Sequence, residues 1–126
     1  MINVSAAVII HGNRVLVCRR ADGRYAGLWE FPGGKREPGE TAAACVAREC
    51  REELGIAIDA GSLLAAYAWE DSIHFSFFLA TLREGTPECL DHSEVRWVDA
   101  DALQALTFCP ADTLLLDRVA GHLRTS

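Results

Sequence analysis

Three carboxylates, Glu49, Glu52 and Glu53, lie in the run Arg48-Glu49-Cys50-Arg51-Glu52-Glu53-Leu54-Gly55, a short way behind the glycine-rich stretch Phe31-Pro32-Gly33-Gly34. On a helix turning by about 100° per residue, they share an arc of roughly 100°. They also fall near the end of a segment, residues 41–54, that Gly55 closes, where a helix dipole is negative. Acids crowded there repel one another and gain nothing locally. A hard divalent cation removes the conflict, because such ions take oxygen ligands. The expected cofactor is magnesium, with manganese as a substitute.

The elements that must carry these residues follow from periodicity. Residues 4–10 are β-rich and almost continuously apolar, which suits a buried strand; His11-Gly12-Asn13 reads as a turn and residues 14–18 as the returning strand. Residues 21–27, with Asp22, Gly23 and Gly27, read as a loop, and Leu28-Trp29-Glu30-Phe31 as a short strand. In residues 41–54, Ala43, Val46, Ala47, Cys50 and Leu54 form one helical stripe, so the glutamates fall on its flank. Residues 63–69, 73–82 and 95–98 are further strand candidates, and residues 101–106 a short helix. Pro110 suits the first turn of a longer helix carrying Leu115, Leu116, Val119, Ala120 and Leu123. Strands mixed with helices indicate an α/β layered domain around a mixed sheet.

Bulk properties narrow the partners. The 126 residues fit one domain, residues 1–126, large enough for a real core. A net charge of −6 disfavours a nucleic-acid polymer or an anionic membrane, yet permits a small polyphosphate whose charge is screened by metal. Neither signal peptide nor membrane span is expected. The five cysteines are odd in number and form no C-x-x-C pair, which points to reduced thiols, mostly buried, in a cytoplasmic protein.

Glutamates on a helix are usually a solvated face; here their company is informative. Gly34 is followed by five residues and Glu40, then by seven residues and Arg48-Glu49, ending in Glu52-Glu53, Gly55 and Ile56. This spacing resembles the Nudix box of the Nudix hydrolases over residues 34–56, with Cys50 standing where a larger aliphatic residue is usual. Leu28-Trp29-Glu30-Phe31-Pro32-Gly33-Gly34-Lys35, Arg19-Arg20 and Cys109-Pro110-Ala111-Asp112 extend the likeness to the MutT and CTP-pyrophosphohydrolase branch.

The resemblance implies an α/β/α sandwich around a mixed sheet, acting as monomer or homodimer on a small nucleotide. It implies metal-dependent hydrolysis of nucleoside triphosphates to monophosphate and pyrophosphate, with 8-oxo-dGTP and cytidine triphosphates as leading substrates. By the same likeness Glu52 and Glu53 are metal ligands and the Gly33 carbonyl completes part of the shell. Glu49 is ligand or general base, and Arg48 orients its neighbours. A further acid is expected from Asp91 or Glu94. Gly33 and Gly34 should allow close approach and positive φ. Arg20 and Lys35 are the candidates for phosphate oxygens, and Phe31 and Asp112 for the base, an ionised Asp112 accepting from cytosine N4 or guanine N1 and N2. His92, beside Asp91, is expected to be structural or on the surface, as are His11, His74 and His122. The rival activities are hydrolysis of ADP-ribose or a dinucleoside polyphosphate, and nucleotide binding without turnover.

Overall fold

In the computed structural model, which describes residues 1–70 and 72–125, the apolar N-terminal run is strand β1, Ile2–His11. Its side chains alternate between two cores, Ala6 and Val8 in one, Ala7 and Ile9 in the other. A strand covered on both faces has no polar side to show, which is why the run reads as continuous. Strand β2, Arg14–Arg19, divides in the same way, with Val15 and Val17 against Leu16 and Cys18.

The remaining strands are β3 (Trp29–Glu30), β4 (Gly33–Lys35), β5 (Ala57–Trp69), β6 (Ile73–Glu84) and β7 (Glu94–Val98). The sheet runs β3-β2-β1-β6-β5, with β4 also on β1 and β7 also on β2. One edge of β1 pairs in parallel with β6. The other is shared: β4 takes Val4, Ser5 and Ala6, while β2 takes only Ile10 and His11. The sheet therefore opens between β4 and β2, and the glycine pair Gly33-Gly34 sits beside that opening.

Helix α1, Ala42–Leu54, covers one core through Val46, Cys50 and Leu54. Helices α2 (Ala100–Ala105), α3 (Pro110–Thr113) and α4 (Leu116–Arg124) follow β7, and Leu103, Val119, Ala120 and Leu123 cover the other core. These are the three layers that the resemblance implies. Leu54 is fully buried beside Ile56 and Ile58; truncation to alanine would cost about 2–5 kcal/mol. Helix α1 begins where the Thr41 hydroxyl accepts from Ala44 N–H at 3.1 Å, and it ends on Gly55 at φ 67°, in the left-handed region.

Two local expectations need correction. Ala43 is exposed, and Cys45 takes the buried place in the first turns, its thiol 3.5 Å from the Gly34 carbonyl oxygen. The segment after Pro110 is not one helix, because it breaks at Leu114 and Leu115. Thr113 bonds back through its hydroxyl to the Pro110 carbonyl at 2.6 Å, and Leu115 N–H closes a tight turn on the Asp112 carbonyl at 3.3 Å. Such local bonds compete with helix propagation. All five cysteines are free thiols, four buried and Cys89 exposed. Among the described residues no helix is long and apolar enough to cross a membrane.

Candidate active site

The site is built where β4 meets α1. Gly33 lies opposite Ala6 and Gly34 opposite Ser5. A Cβ on Gly33 would stand 2.1 Å from the Ser5 carbonyl oxygen, and one on Gly34 would stand 2.5 Å from the Glu49 carboxyl carbon. Neither residue has positive φ. The expected left-handed backbone is thus absent: these positions need glycine for closeness, so that strand and carboxylate can touch. The Gly33 N–H also donates to Glu53 Oε1 at 3.3 Å, which ties the acid flank to the strand.

Arg48 organises the rest of that flank. Its guanidinium donates to Glu40 Oε2 at 2.8 Å, to Glu49 Oε1 at 2.8 Å and to Glu52 Oε2 at 3.1 Å, and also to the Lys35 carbonyl at 3.1 Å. Glu40 accepts as well from Glu37 N–H at 3.1 Å, so it braces the loop before α1. The hydrogen bond from Arg48 above all, with that from the Glu37 backbone, pulls the Glu40 carboxyl down to about 2. Glu53 moves the opposite way: burial raises it well above the usual carboxylate range, and the charges of Glu49, Glu30 and Asp91 add to the rise.

A carboxyl crowded by three others in a half-buried place lacks positive charge. Hard oxygen donors in that state suit a hard divalent cation, so the residues fit a metal of that class. Among the described residues no three acids, histidines or cysteines are already closed into a cage. Arg48 instead engages Glu49 and Glu52, while Glu53 rests on Gly33.

Against this flank opens a cleft of about 340 Å³ whose walls include Arg20, Phe31, Gly33, Gly34, Lys35 and Asp112. The structure therefore gathers the four substrate candidates around one space that shares its glycines with the acids. Residues 107–109 run beside β3, with Trp29 N–H donating to Thr107 O at 2.9 Å and Cys109 N–H to Trp29 O at 2.8 Å. That alignment delivers α3 to the cleft, and Tyr67 holds it by donating its hydroxyl to the Ala111 carbonyl at 2.5 Å.

Asp112 is buried, and its Oδ2 accepts from Phe31 N–H at 2.9 Å. Burial pushes its carboxyl up to about 8; the Phe31 N–H opposes the rise, Glu30 adds to it, and Arg20 opposes it. Burial thus favours the uncharged carboxyl at Asp112 over the ionised form in which it would accept from guanine N1 and N2. The Phe31 ring packs against Phe77 and Phe108 at centroid distances of 6.4 and 5.4 Å, which fixes the backbone that holds Asp112.

The two candidates for the later acid are separated in space. Glu94 pairs with Arg96 and, at 3.7 Å, with Arg19. Asp91 acts on Glu53 electrostatically, and its loop is stitched to α1 by Leu90 N–H on the Glu53 carbonyl at 3.2 Å. The geometry favours Asp91.

Sequence reading missed other parts of the site. Glu30 bridges Arg20 and His92, and His92 is buried, the structural one of its two expected readings. The signal was an acid between Trp29 and Phe31 in a short strand, where a charge must find a partner. Trp69 and Phe75 line the cleft with Tyr25. Trp29 is a core residue.

A family model described as the NUDIX domain matches residues 1–119. The chain is 36% identical over 121 residues to the CTP pyrophosphohydrolase of Escherichia coli, covering 93% of this chain and 90% of that protein. It is 33% identical over 127 residues to the 8-oxo-dGTP diphosphatase of Haemophilus influenzae, covering 97% of this chain and 93% of that one. A MutT structure described for Aliivibrio salmonicida and Vibrio cholerae superposes with a TM-score of 0.87 at 28% identity, covering 96% of this chain and 98% of that chain. With an acid flank on α1, glycines that let it touch the sheet, and a match over almost its whole length, this chain belongs to the NUDIX domain family.

Proposed function

We propose that this protein hydrolyses nucleoside triphosphates to monophosphate and pyrophosphate, removing modified nucleotides from the cytosolic pool, with magnesium as cofactor and manganese as a substitute. One observation carries the reading: the cleft ends on a buried, backbone-held carboxyl at Asp112 and opens, through Gly33 and Gly34, onto the carboxylates of α1. A base at one end and a polyphosphate at the other match that polarity.

Each side chain then has a task. Glu52, Glu53 and Glu49, with Asp91 and the Gly33 carbonyl, would hold the ion, which when bound supplies positive charge against the phosphates and a more acidic water. Arg48 keeps Glu49 and Glu52 oriented. Glu49 either joins the ligands or takes the proton from an attacking water. Arg20 and Lys35 line the cleft and neutralise phosphate oxygens.

The state of Asp112 bears on the base. As an acid it donates to cytosine N3 while accepting from N4, whereas guanine N1 and N2 both donate and call for the ionised form. This supports cytidine triphosphates, plain or modified, ahead of 8-oxo-dGTP at neutral pH. The test is a panel of triphosphates with magnesium, reading products by chromatography. Monophosphate and pyrophosphate from a cytidine substrate are expected; inorganic phosphate as sole product, or no turnover of any triphosphate, would overturn the reading.

A further inference from the structure

Among the described residues, two buried side-chain nitrogens lack a hydrogen-bond partner, Arg20 Nε and His92 Nδ1. Both belong to groups bonded to the same carboxylate. Glu30 Oε1 accepts from Arg20 Nη1 at 3.0 Å, and Glu30 Oε2 meets His92 Nε2 at 2.8 Å. Glu30 sits on β3 opposite Cys18 of β2, within the wall of the cleft, and the His92 side chain is only 2% exposed. The charge of Glu30 raises the proton affinity of both Glu53 and Asp112, so it is felt at both ends of the site.

Such an arrangement costs the fold something. A charged group is drawn into the core wall, and two nitrogens go unpaired, each a hydrogen bond to water given up without replacement. Stability alone would favour an apolar pair. What the arrangement achieves is a guanidinium with restricted freedom. Arg20 is held through Nη1 by Glu30 while it lines the cleft. His92 stops the Glu30 carboxylate from turning away, and its own loop is pinned to β2 by Ser93 N–H on the Arg19 carbonyl at 2.9 Å.

We infer that Glu30, buttressed by His92, is a positioning residue that presents Arg20 to the substrate's phosphates. The inference rests on the nucleotide reading above. Glu30 touches no reacting atom; it acts through Arg20. Ordering a long side chain before binding lowers the entropy lost when phosphate arrives. Residues that act through one another give non-additive effects.

The test is a double-mutant cycle read as the Kd of the magnesium complex of α,β-methylene-CTP by calorimetry, which needs no turnover. Glu30→Gln should weaken binding about tenfold, and Arg20→Ala at least as much. The double variant should bind no more weakly than Arg20→Ala alone. Additive losses would overturn the inference, as would tighter binding in Glu30→Gln, which would mean that Glu30 competes with phosphate for the guanidinium. Should Glu30→Gln fail to fold, the His92 pair decides: His92→Ala should weaken binding about threefold, and His92→Gln, whose amide can still donate to Glu30, should restore it. Equal losses in both would overturn the assignment. Absence of analogue binding by the unaltered protein would remove the phosphate role of Arg20 and the nucleotide reading together; binding with additive effects would remove the inference alone.

Discussion

Replacing Asp112 by asparagine should make this protein more stable, by an amount that grows with pH. Burial lifts the Asp112 carboxyl from an ordinary 3.8 to about 8 in the folded chain. Below pH 4 both folded and unfolded chains carry the proton. Between pH 4 and 8 only the folded chain keeps it, so stability falls as pH rises, by up to about 1.4 kcal/mol per pH unit. Over the whole interval that slope has a ceiling of about 6 kcal/mol. Asparagine keeps an oxygen for Phe31 N–H and cannot ionise. Its Tm advantage should be smallest at pH 5 and grow steadily to at most about 20 °C near pH 8.5. Thermal melts of both proteins across that range, without metal or nucleotide, measure the gap, and other titrations cancel in the difference. A gap that stays constant or narrows as pH rises would refute the burial reasoning.

Three further outcomes follow from the same geometry. Gly33→Ala should cost about 3 kcal/mol or more in a urea melt, because its Cβ meets the Ser5 backbone, whereas Gly34→Ala should melt near the unaltered protein while losing manganese affinity in a titration followed by electron paramagnetic resonance, because its Cβ meets only the movable Glu49 side chain. Glu52→Gln and Glu53→Gln should each lower kcat by about 10²-fold or more with the fold retained, checked by steady-state rates and circular dichroism; near-normal rates in both would remove the ligand roles. The ratio of kcat/KM for guanine over cytosine triphosphates should rise as pH passes about 8, where Asp112 ionises, and should be flat in Asp112→Asn.

Local features of the site were legible in the sequence; the long-range ones were not. Helix α1 announced itself through Thr41, its apolar stripe and Gly55, all within one segment. The acid flank could be placed because helical spacing is a local rule. By contrast, Phe31 and Asp112 stand 81 positions apart and Glu30 and His92 are 62 apart, and no periodicity links such pairs. Gly33 and Gly34 were visible as necessary glycines, but their reason is contact with Ser5 and Glu49, which only the assembled sheet and helix create. The rise in the Asp112 proton affinity was not legible for the same cause: it depends on burial, and burial belongs to the fold. The break after Thr113 depends on side-chain bonds that the apolar pattern, which runs on across it, does not reveal.

The claim on which the rest depends is that the carboxylates of α1 grip a divalent ion at the mouth of the nucleotide cleft. Crystals grown with manganese and α,β-methylene-CTP, measured near the manganese absorption edge, test it directly. The expected result is an anomalous peak within about 2.0–2.6 Å of Glu52 and Glu53 carboxylate oxygens, beside the analogue's phosphates. Analogue in the cleft with no peak along α1, or a peak held only by acids elsewhere on the surface, would contradict it.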